Sequence, residues 1–185
     1  MAATTSNMLA LGTKAPFFEL ENPLSEQNEN LENLKGEKGT LVVFMSNHCP
    51  FVQHIIDKLV ELHEDYSQEG IEIIGINSNS VEVSPEDSPE KMLDFIKERN
   101  ISFPYLYDES QVVAKAYQAA CTPDFYLFDD KLDLVYRGQL DDSRPGNHKE
   151  VTGEDMIIAF ENLLAGQPQE ELQLPSMGCS IKWKA

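Results

Sequence analysis

Three thiols, Cys49, Cys121 and Cys179, are the side chains of this 185-residue chain best suited to covalent chemistry. Cys49 stands in the stretch FMSNHCPFVQHI, Phe44 to Ile55, between an apolar run and an amphipathic pattern. Unpaired backbone N–H groups and the helix dipole at a helix start favour an anion, so a thiolate held there is stabilised. The thiolate is the nucleophile of thiol chemistry, and a helix N-terminus is one of the settings that makes cysteine reactive. Pro50 suits the first helical turn, which asks for no N–H from it. Free cysteine is also among the most buried residue types, so simple packing is the alternative; the position favours the reactive role. Val52 occupies the place three residues on where a second cysteine would complete a Cys-x-x-Cys pair.

His48 directly precedes the thiol. As an imidazolium it could stabilise a thiolate, as a base it could take the thiol proton, and otherwise it shapes the loop. Asn47 is placed to cap the following helix. His54 and His63 fall on that helix and read as surface or packing residues. His48, Cys49 and His54 could begin a copper or zinc site, since thiolate and imidazole suit both ions. No second Cys/His cluster at metal spacing follows, and His148 sits alone among polar residues. No metal and no cofactor is expected.

The elements that must hold these groups follow from periodicity. Thr40–Met45 is a short apolar and β-branched run that suits a strand buried on both faces. Beyond Pro50, Val52, Ile55, Ile56, Leu59 and Leu62 recur at three and four, the signature of an amphipathic helix, with Gly70 closing the segment. Ile71–Asn77 reads as a second buried strand. Ser88-Pro89-Glu90 starts a helix that buries Met92, Phe95 and Ile96 and ends at Asn100. A short helix capped by Ser110 comes next. Two strands about the turn DDKLD follow, and a capping box at Thr152–Asp155 opens the last helix. Strands alternating with helices, then a closing hairpin and helix, imply one α/β domain with a central mixed sheet flanked by helices. Residues 1–10 read as a flexible tail and 11–185 as the domain, with an irregular C-terminal extension over 167–185 that carries the only Trp, Trp183.

Composition narrows the function. Fourteen Lys and Arg stand against 32 Asp and Glu, a net charge of −18. Such a surface repels nucleic acid and anionic lipid, and no stretch approaches the ~20 apolar residues of a membrane span. The N-terminus lacks the basic start of a signal peptide. Three cysteines suit a reducing compartment better than a disulfide scaffold, so a cytoplasmic setting is expected.

The same residues carry a family resemblance over almost the whole chain, Leu11 to Lys184. A strand, Cys-Pro-x-x, an amphipathic helix and, much later, CTPDFYLFD resemble the thioredoxin fold. LGTKAPFFELEN followed by LENLKGEKGTLVVF is similar to the N-terminal β-hairpin of the alkyl hydroperoxide reductase/thiol-specific antioxidant branch, and NHCPFV with GCSIKWK resembles a peroxiredoxin-like subgroup of it. Two patterns compete for Cys49. In the thioredoxin pattern it is the attacking cysteine and the resolving position falls on Val52. In the peroxiredoxin pattern Ser46 and Cys49 fit but the proline falls on Val42. Phe44 ends its strand five positions before Cys49, as in thioredoxins, and this favours the thioredoxin register.

The resemblance implies that Thr122-Pro123 is the loop whose cis-proline lies against the attacking cysteine and shapes the substrate groove, and X–Pro bonds are the ones that take cis at modest cost. It then brings Cys121 near Cys49 as the preferred resolving thiol. Cys179 is the rival, with anchoring of the tail through IKWK and Trp183 the favoured role there. Thr122 could hydrogen-bond the thiolate or only shape its loop. Asn47, Pro50, Thr122 and Pro123 form the expected substrate surface. Arg137 falls near the place of the arginine that peroxiredoxins set beside their thiolate, although a strand arginine paired with a carboxylate is the commoner role.

The expected activity is that of a thiol-disulfide oxidoreductase, an antioxidant protein of cell redox homeostasis, with Cys49 attacking and His48 tuning it. The runner-up is a peroxiredoxin-type peroxidase using Arg137. A redox-inert or metal-carrying binding module on the same fold is the alternative of another class. Implied partners are a disulfide-containing protein or a hydroperoxide, a thiol reductant such as thioredoxin or glutathione, and a second copy in a homodimer through exposed strand edges.

Overall fold

The computed structural model describes residues 3–185. In chain order its elements are β1 (Ala3–Thr5), β2 (Glu19–Asn22), β3 (Gln27–Asn30), α1 (Leu31–Leu34), β4 (Gly39–Phe44), α2 (Pro50–Tyr66), β5 (Ile71–Asn77), α3 (Pro89–Arg99), β6 (Tyr105–Tyr107), α4 (Val112–Ala116), β7 (Cys121–Thr122), β8 (Asp124–Asp129), β9 (Leu134–Tyr136), α5 (Glu154–Leu164) and β10 (Met177–Ser180). Seven strands form the main sheet in the order β3-β2-β6-β5-β4-β8-β9, and β1-β10-β7 form a smaller one. β4 pairs in parallel with β5 and antiparallel with β8, so the central sheet is mixed, as the sequence implies.

The continuous apolar run of β4 has a direct structural reason. Leu41 and Val43 face one apolar cluster, which gathers Ile56 and Leu59 of α2, Met92 of α3 and Phe160 of α5. Val42 and Phe44 face a second, with Phe18, Tyr117 and Phe128. A strand covered on both faces has no polar side to alternate with. α2 buries the expected stripe of Val52, Ile55, Ile56, Leu59 and Leu62. α3 takes Ser88 as its cap, through a bond from Lys91 N, and ends at Asn100 in the left-handed region.

Four local expectations change. The expected flexible tail over 1–10 is not what Ala3–Thr5 form: they pair with Met177–Cys179, while residues 1–2 lie outside the described residues. The C-terminal extension is correspondingly less irregular than expected, because β10 sits inside it. Gln111 rather than Ser110 occupies the cap position of α4, with Ser110 Oγ accepting from Val112 N one step earlier. Gly153, not Thr152, precedes α5; Thr152 Oγ1 accepts from Glu154 N at 3.2 Å, a shorter-range tie than a capping box.

Candidate active site

Cys49 is the cap residue of the 17-residue helix α2, with Pro50 in its first turn and no side chain capping the helix. Its carbonyl accepts from Val52 N and Gln53 N at 3.0 and 2.9 Å, which turns the chain into the helix directly behind the thiol. Cys49 Sγ lies 3.2 Å from Thr122 O, to which the thiol donates, and 2.7 Å from Cys179 Sγ. The sulfur–sulfur distance is longer than the ~2.05 Å of a covalent bond but close to it. Both thiols are buried, 1% and 5% exposed.

β10 delivers Cys179. It runs between β1 and β7, so that Cys179 faces Ala3 on one side and Thr122 on the other. Gly178 makes this approach possible: a Cβ there would lie 1.8 Å from Thr122 O and 2.5 Å from Thr122 C. Burial, then the hydrogen bond and charge of Cys49, push the Cys179 thiol up to about 12, while the Lys182 ammonium pulls the other way. Cys179 therefore keeps its proton while Cys49 stands beside it.

The Thr122–Pro123 bond is cis, in agreement with the expected loop. Thr122 meets Cys49 through its backbone carbonyl; its buried hydroxyl Oγ1 has no hydrogen-bond partner. The expected resolving thiol, Cys121, has its Sγ 3.5 Å from Pro123 O, and the sulfur in contact with Cys49 is that of Cys179. Burial first, and then the Asp124 carboxylate, raise the Cys121 thiol far above the ordinary range. Arg137 makes its hydrogen bonds elsewhere. Its Nε donates to Leu9 O at 2.9 Å and its Nη1 to Gln173 Oε1 at 3.0 Å, which commits the guanidinium to the segments that cover β9.

His48 and Asn47 gather around a residue that no sequence signal marked, Asp87. This carboxylate is fully buried in the turn before α3. It accepts from Ser46 Oγ (3.0 Å), Asn47 N (2.8 Å), Asn77 Nδ2 (2.9 Å), Asn79 Nδ2 (2.8 Å) and Ser84 Oγ (2.9 Å). His48 Nδ1 lies 3.2 Å from its Oδ2. His48 Nδ1 also lies 3.3 Å from Ser46 Oγ, its hydrogen-bond partner. His48 Nε2 is 3.4 Å from Ser84 Oγ, and both ring nitrogens are thus engaged in this network. Asn47 does not cap α2: its Oδ1 accepts from Tyr105 OH and its Nδ2 donates to Glu86 O. Asp87 sits in a stretch with no periodicity or motif, and its donors come from two other segments, Ser46–Asn47 and Asn77–Asn79, besides Ser84 of its own turn. Only the fold reveals it.

The tail after Cys179 is held by backbone groups more than by Trp183. Lys182 N donates to Asn79 Oδ1 at 2.9 Å, Lys182 O accepts from Ser80 N at 2.8 Å and Gln111 Nε2 at 2.9 Å, and Lys184 N donates to Gln111 Oε1. Trp183 stays 39% exposed, with Lys115 Nζ 5.8 Å above its ring. Among the described residues, no group of three or more His, Cys, Asp or Glu is arranged to hold a metal ion. No helix there is long and apolar enough to cross a membrane.

The family model described as AhpC/TSA family matches residues 11–137. An uncharacterized conserved protein of Geobacillus kaustophilus, solved by crystallography, superposes with a TM-score of 0.97 at 54% identity, over 100% of this chain and 97% of its own. The thioredoxin domain of a thiol-disulfide oxidoreductase from Bacteroides vulgatus superposes with a TM-score of 0.59 at 22% identity, covering 70% of this chain and 91% of that one; this establishes the thioredoxin-like fold. In sequence, the thiol-disulfide oxidoreductase ResA of Halalkalibacterium halodurans is 27% identical over 124 residues, 67% of this chain and 65% of its own length. The chain therefore spans about two thirds of the curated relative it matches.

Proposed function

The chain belongs to the AhpC/TSA family, and from its two touching sulfurs we propose that it is a thiol-disulfide oxidoreductase whose working couple is Cys49 and Cys179. The observation that carries this reading is the 2.7 Å contact between a thiol at the N-terminus of a long helix and a second thiol brought in by β10. The name of the relative in Halalkalibacterium halodurans is consistent with it.

The chemistry is two successive exchanges. The Cys49 thiolate attacks one sulfur of a substrate disulfide. A bond forms between Cys49 and that sulfur, the substrate bond breaks, and the other substrate sulfur leaves as a thiolate that takes up a proton. Once Cys49 is bound in this mixed disulfide, two of the three influences that raise the Cys179 thiol, the hydrogen bond and charge of Cys49, are gone; burial still raises it and the Lys182 ammonium still lowers it. Cys179 attacks Cys49 Sγ, the Cys49–Cys179 bond forms as the Cys49–substrate bond breaks, and the proton lost by Cys179 is balanced by the one taken up by the leaving substrate sulfur. The substrate gains two electrons and two protons. A thiol reductant, thioredoxin or a small thiol such as glutathione, restores the dithiol by the reverse exchanges.

The substrate class is a protein disulfide or a small disulfide, and the role is antioxidant upkeep of thiols in a reducing compartment such as the cytoplasm. A hydroperoxide would find the same thiolate, but the Arg137 guanidinium is bonded to Leu9 and Gln173. The test is brief oxidation with diamide, alkylation of the remaining thiols and peptide mapping. A Cys49–Cys179 link is expected, together with catalytic reduction of a disulfide substrate that is lost in Cys49→Ser. A Cys49–Cys121 link, or no internal link, overturns the assignment.

A further inference from the structure

We propose that Asp87 is a positioning residue for this couple, holding both thiols in register from a single buried carboxylate; the inference rests on the reading of Cys49 and Cys179 given above. One side of Asp87 holds the run that leads into Cys49. Ser46 Oγ and Asn47 N, within three residues of the nucleophile, donate to its oxygens, and His48 Nδ1 lies 3.2 Å away. The other side reaches the tail. Asn79 donates its Nδ2 to Asp87 at 2.8 Å and accepts Lys182 N on its Oδ1 at 2.9 Å, three residues beyond Cys179. Asn79 is thereby fixed in orientation, because the donor end of its amide must face the carboxylate. Two segments separated by most of the chain are tied to one charge.

The arrangement explains why a carboxylate is tolerated with no exposure at all. A buried charge is costly unless its lone pairs are met. Here they are met by hydroxyl, side-chain amide and backbone donors, with the His48 ring alongside, so the group is rigidly specified. A network satisfied in this way fixes its members in one geometry. The Cys49 loop has no side-chain cap of its own, and its further ties are those of Asn47 to Tyr105, Glu86 and Gln53 and of His48 to Ser84. Removing Asp87 frees the approach to Cys49 and, through Asn79, loosens the strand end that carries Cys179. The local concentration of Cys179 at Cys49 falls, and the internal disulfide becomes harder to form.

The experiment measures the equilibrium constant of the Cys49–Cys179 disulfide against mixtures of reduced and oxidised glutathione in the full-length protein. Wild type is compared with Asp87→Asn and Asn79→Ala, and thermal unfolding is recorded for each. The control is Phe160→Leu, a core change in α5 that shares no hydrogen bond with the network. Asp87→Asn is expected to lower the constant about tenfold or more, and Asn79→Ala, which leaves the carboxylate in place but removes both the tie to the tail and one of its donors, about threefold to tenfold. Phe160→Leu is expected to lower the unfolding midpoint while leaving the constant within about twofold of wild type. If Asp87→Asn does not fold, Asn79→Ala decides alone. A constant within about twofold of wild type in every folded network variant overturns the proposal, as does a control that shifts as far as they do. A wild type that never forms the Cys49–Cys179 bond overturns the couple itself, a result distinct from unchanged variants of a working couple.

Discussion

Gly178 offers the sharpest handle on whether β10 positions the resolving thiol. The Gly178→Ala substitution adds one methyl where the nearest atoms are Thr122 O at 1.8 Å, Thr122 C at 2.5 Å and Pro123 N at 3.0 Å. All three are backbone, so no side chain can swing aside. Ordinary contact begins near 3.4 Å, so the two backbones must separate by about 1.6 Å at this point. β10 is paired on both edges, to β1 and to β7. It will give way on the β7 side, where only Cys179–Thr122 and Ser180–Cys121 are matched. A shift of that size in the residue before Cys179 carries the sulfur out of its 2.7 Å contact with Cys49. Misplacing a reacting group by about 1 Å can cost on the order of a hundredfold in rate. Strain from overpacking would in addition lower stability by about 1–3 kcal/mol. The assay forms a mixed disulfide at Cys49 with a chromogenic thiol and follows its release by Cys179 in a stopped-flow instrument. Far-ultraviolet circular dichroism and an unfolding curve check that the variant is folded. We expect release to slow about a hundredfold. A folded Gly178→Ala protein that resolves within about threefold of the wild-type rate would falsify the view that the β7–β10 approach sets the reaction geometry.

Further consequences follow from the neighbouring groups. Cys121→Ser is expected to keep the Cys49–Cys179 link after oxidation and Cys179→Ser to lose it, read by peptide mapping. In the native protein, Cys121 should resist iodoacetamide until denaturant is added, because burial holds its proton. Burial raises the Asp124 carboxyl from 3.8 to about 6, against the opposing bonds from Ala120 N and Tyr126. Stability from the protonated form is then fully present below about 3.8 and is lost as pH rises through about 6. A shift of about two pH units corresponds to about 3 kcal/mol. Urea unfolding of wild type and Asp124→Asn should accordingly show a stability difference that changes by about that amount across this window, with wild type losing more as pH rises. Equal pH profiles would sink that account of Asp124. Arg137→Ala should leave disulfide exchange unchanged and reduce stability by about 1–2 kcal/mol, the loss of bonds to Leu9 O and Gln173. A large loss of exchange activity in that variant would return the arginine to the site.

What could be seen in the sequence, and what could not, separates along a physical line. β4, β5 and α2 were legible because their patterning is local: a run covered on both faces, and a stripe at three and four. Cys49 was legible for the same reason, since a helix start is written in the residues around it. Its partner was not. The contact with Cys179 spans 130 positions and is closed by strands of three, four and two residues, ATT, MGCS and CT, too short to show any period. Asp87 was hidden in the same way, because its role lies in donors from segments that meet only in the fold. The expectation for Arg137 failed for a related reason. A family register can place a residue on the right strand, yet the partner that claims its side chain, here Gln173 in the C-terminal extension, belongs to another segment. One local clue to the tail did exist. A glycine inside a strand marks a place where another backbone comes close, and Gly178 stands directly before Cys179. Cys121 has alanine before it and threonine after it. Of the two cysteines that could answer Cys49, the one whose neighbour must do without a side chain is the one packed at backbone distance against the site.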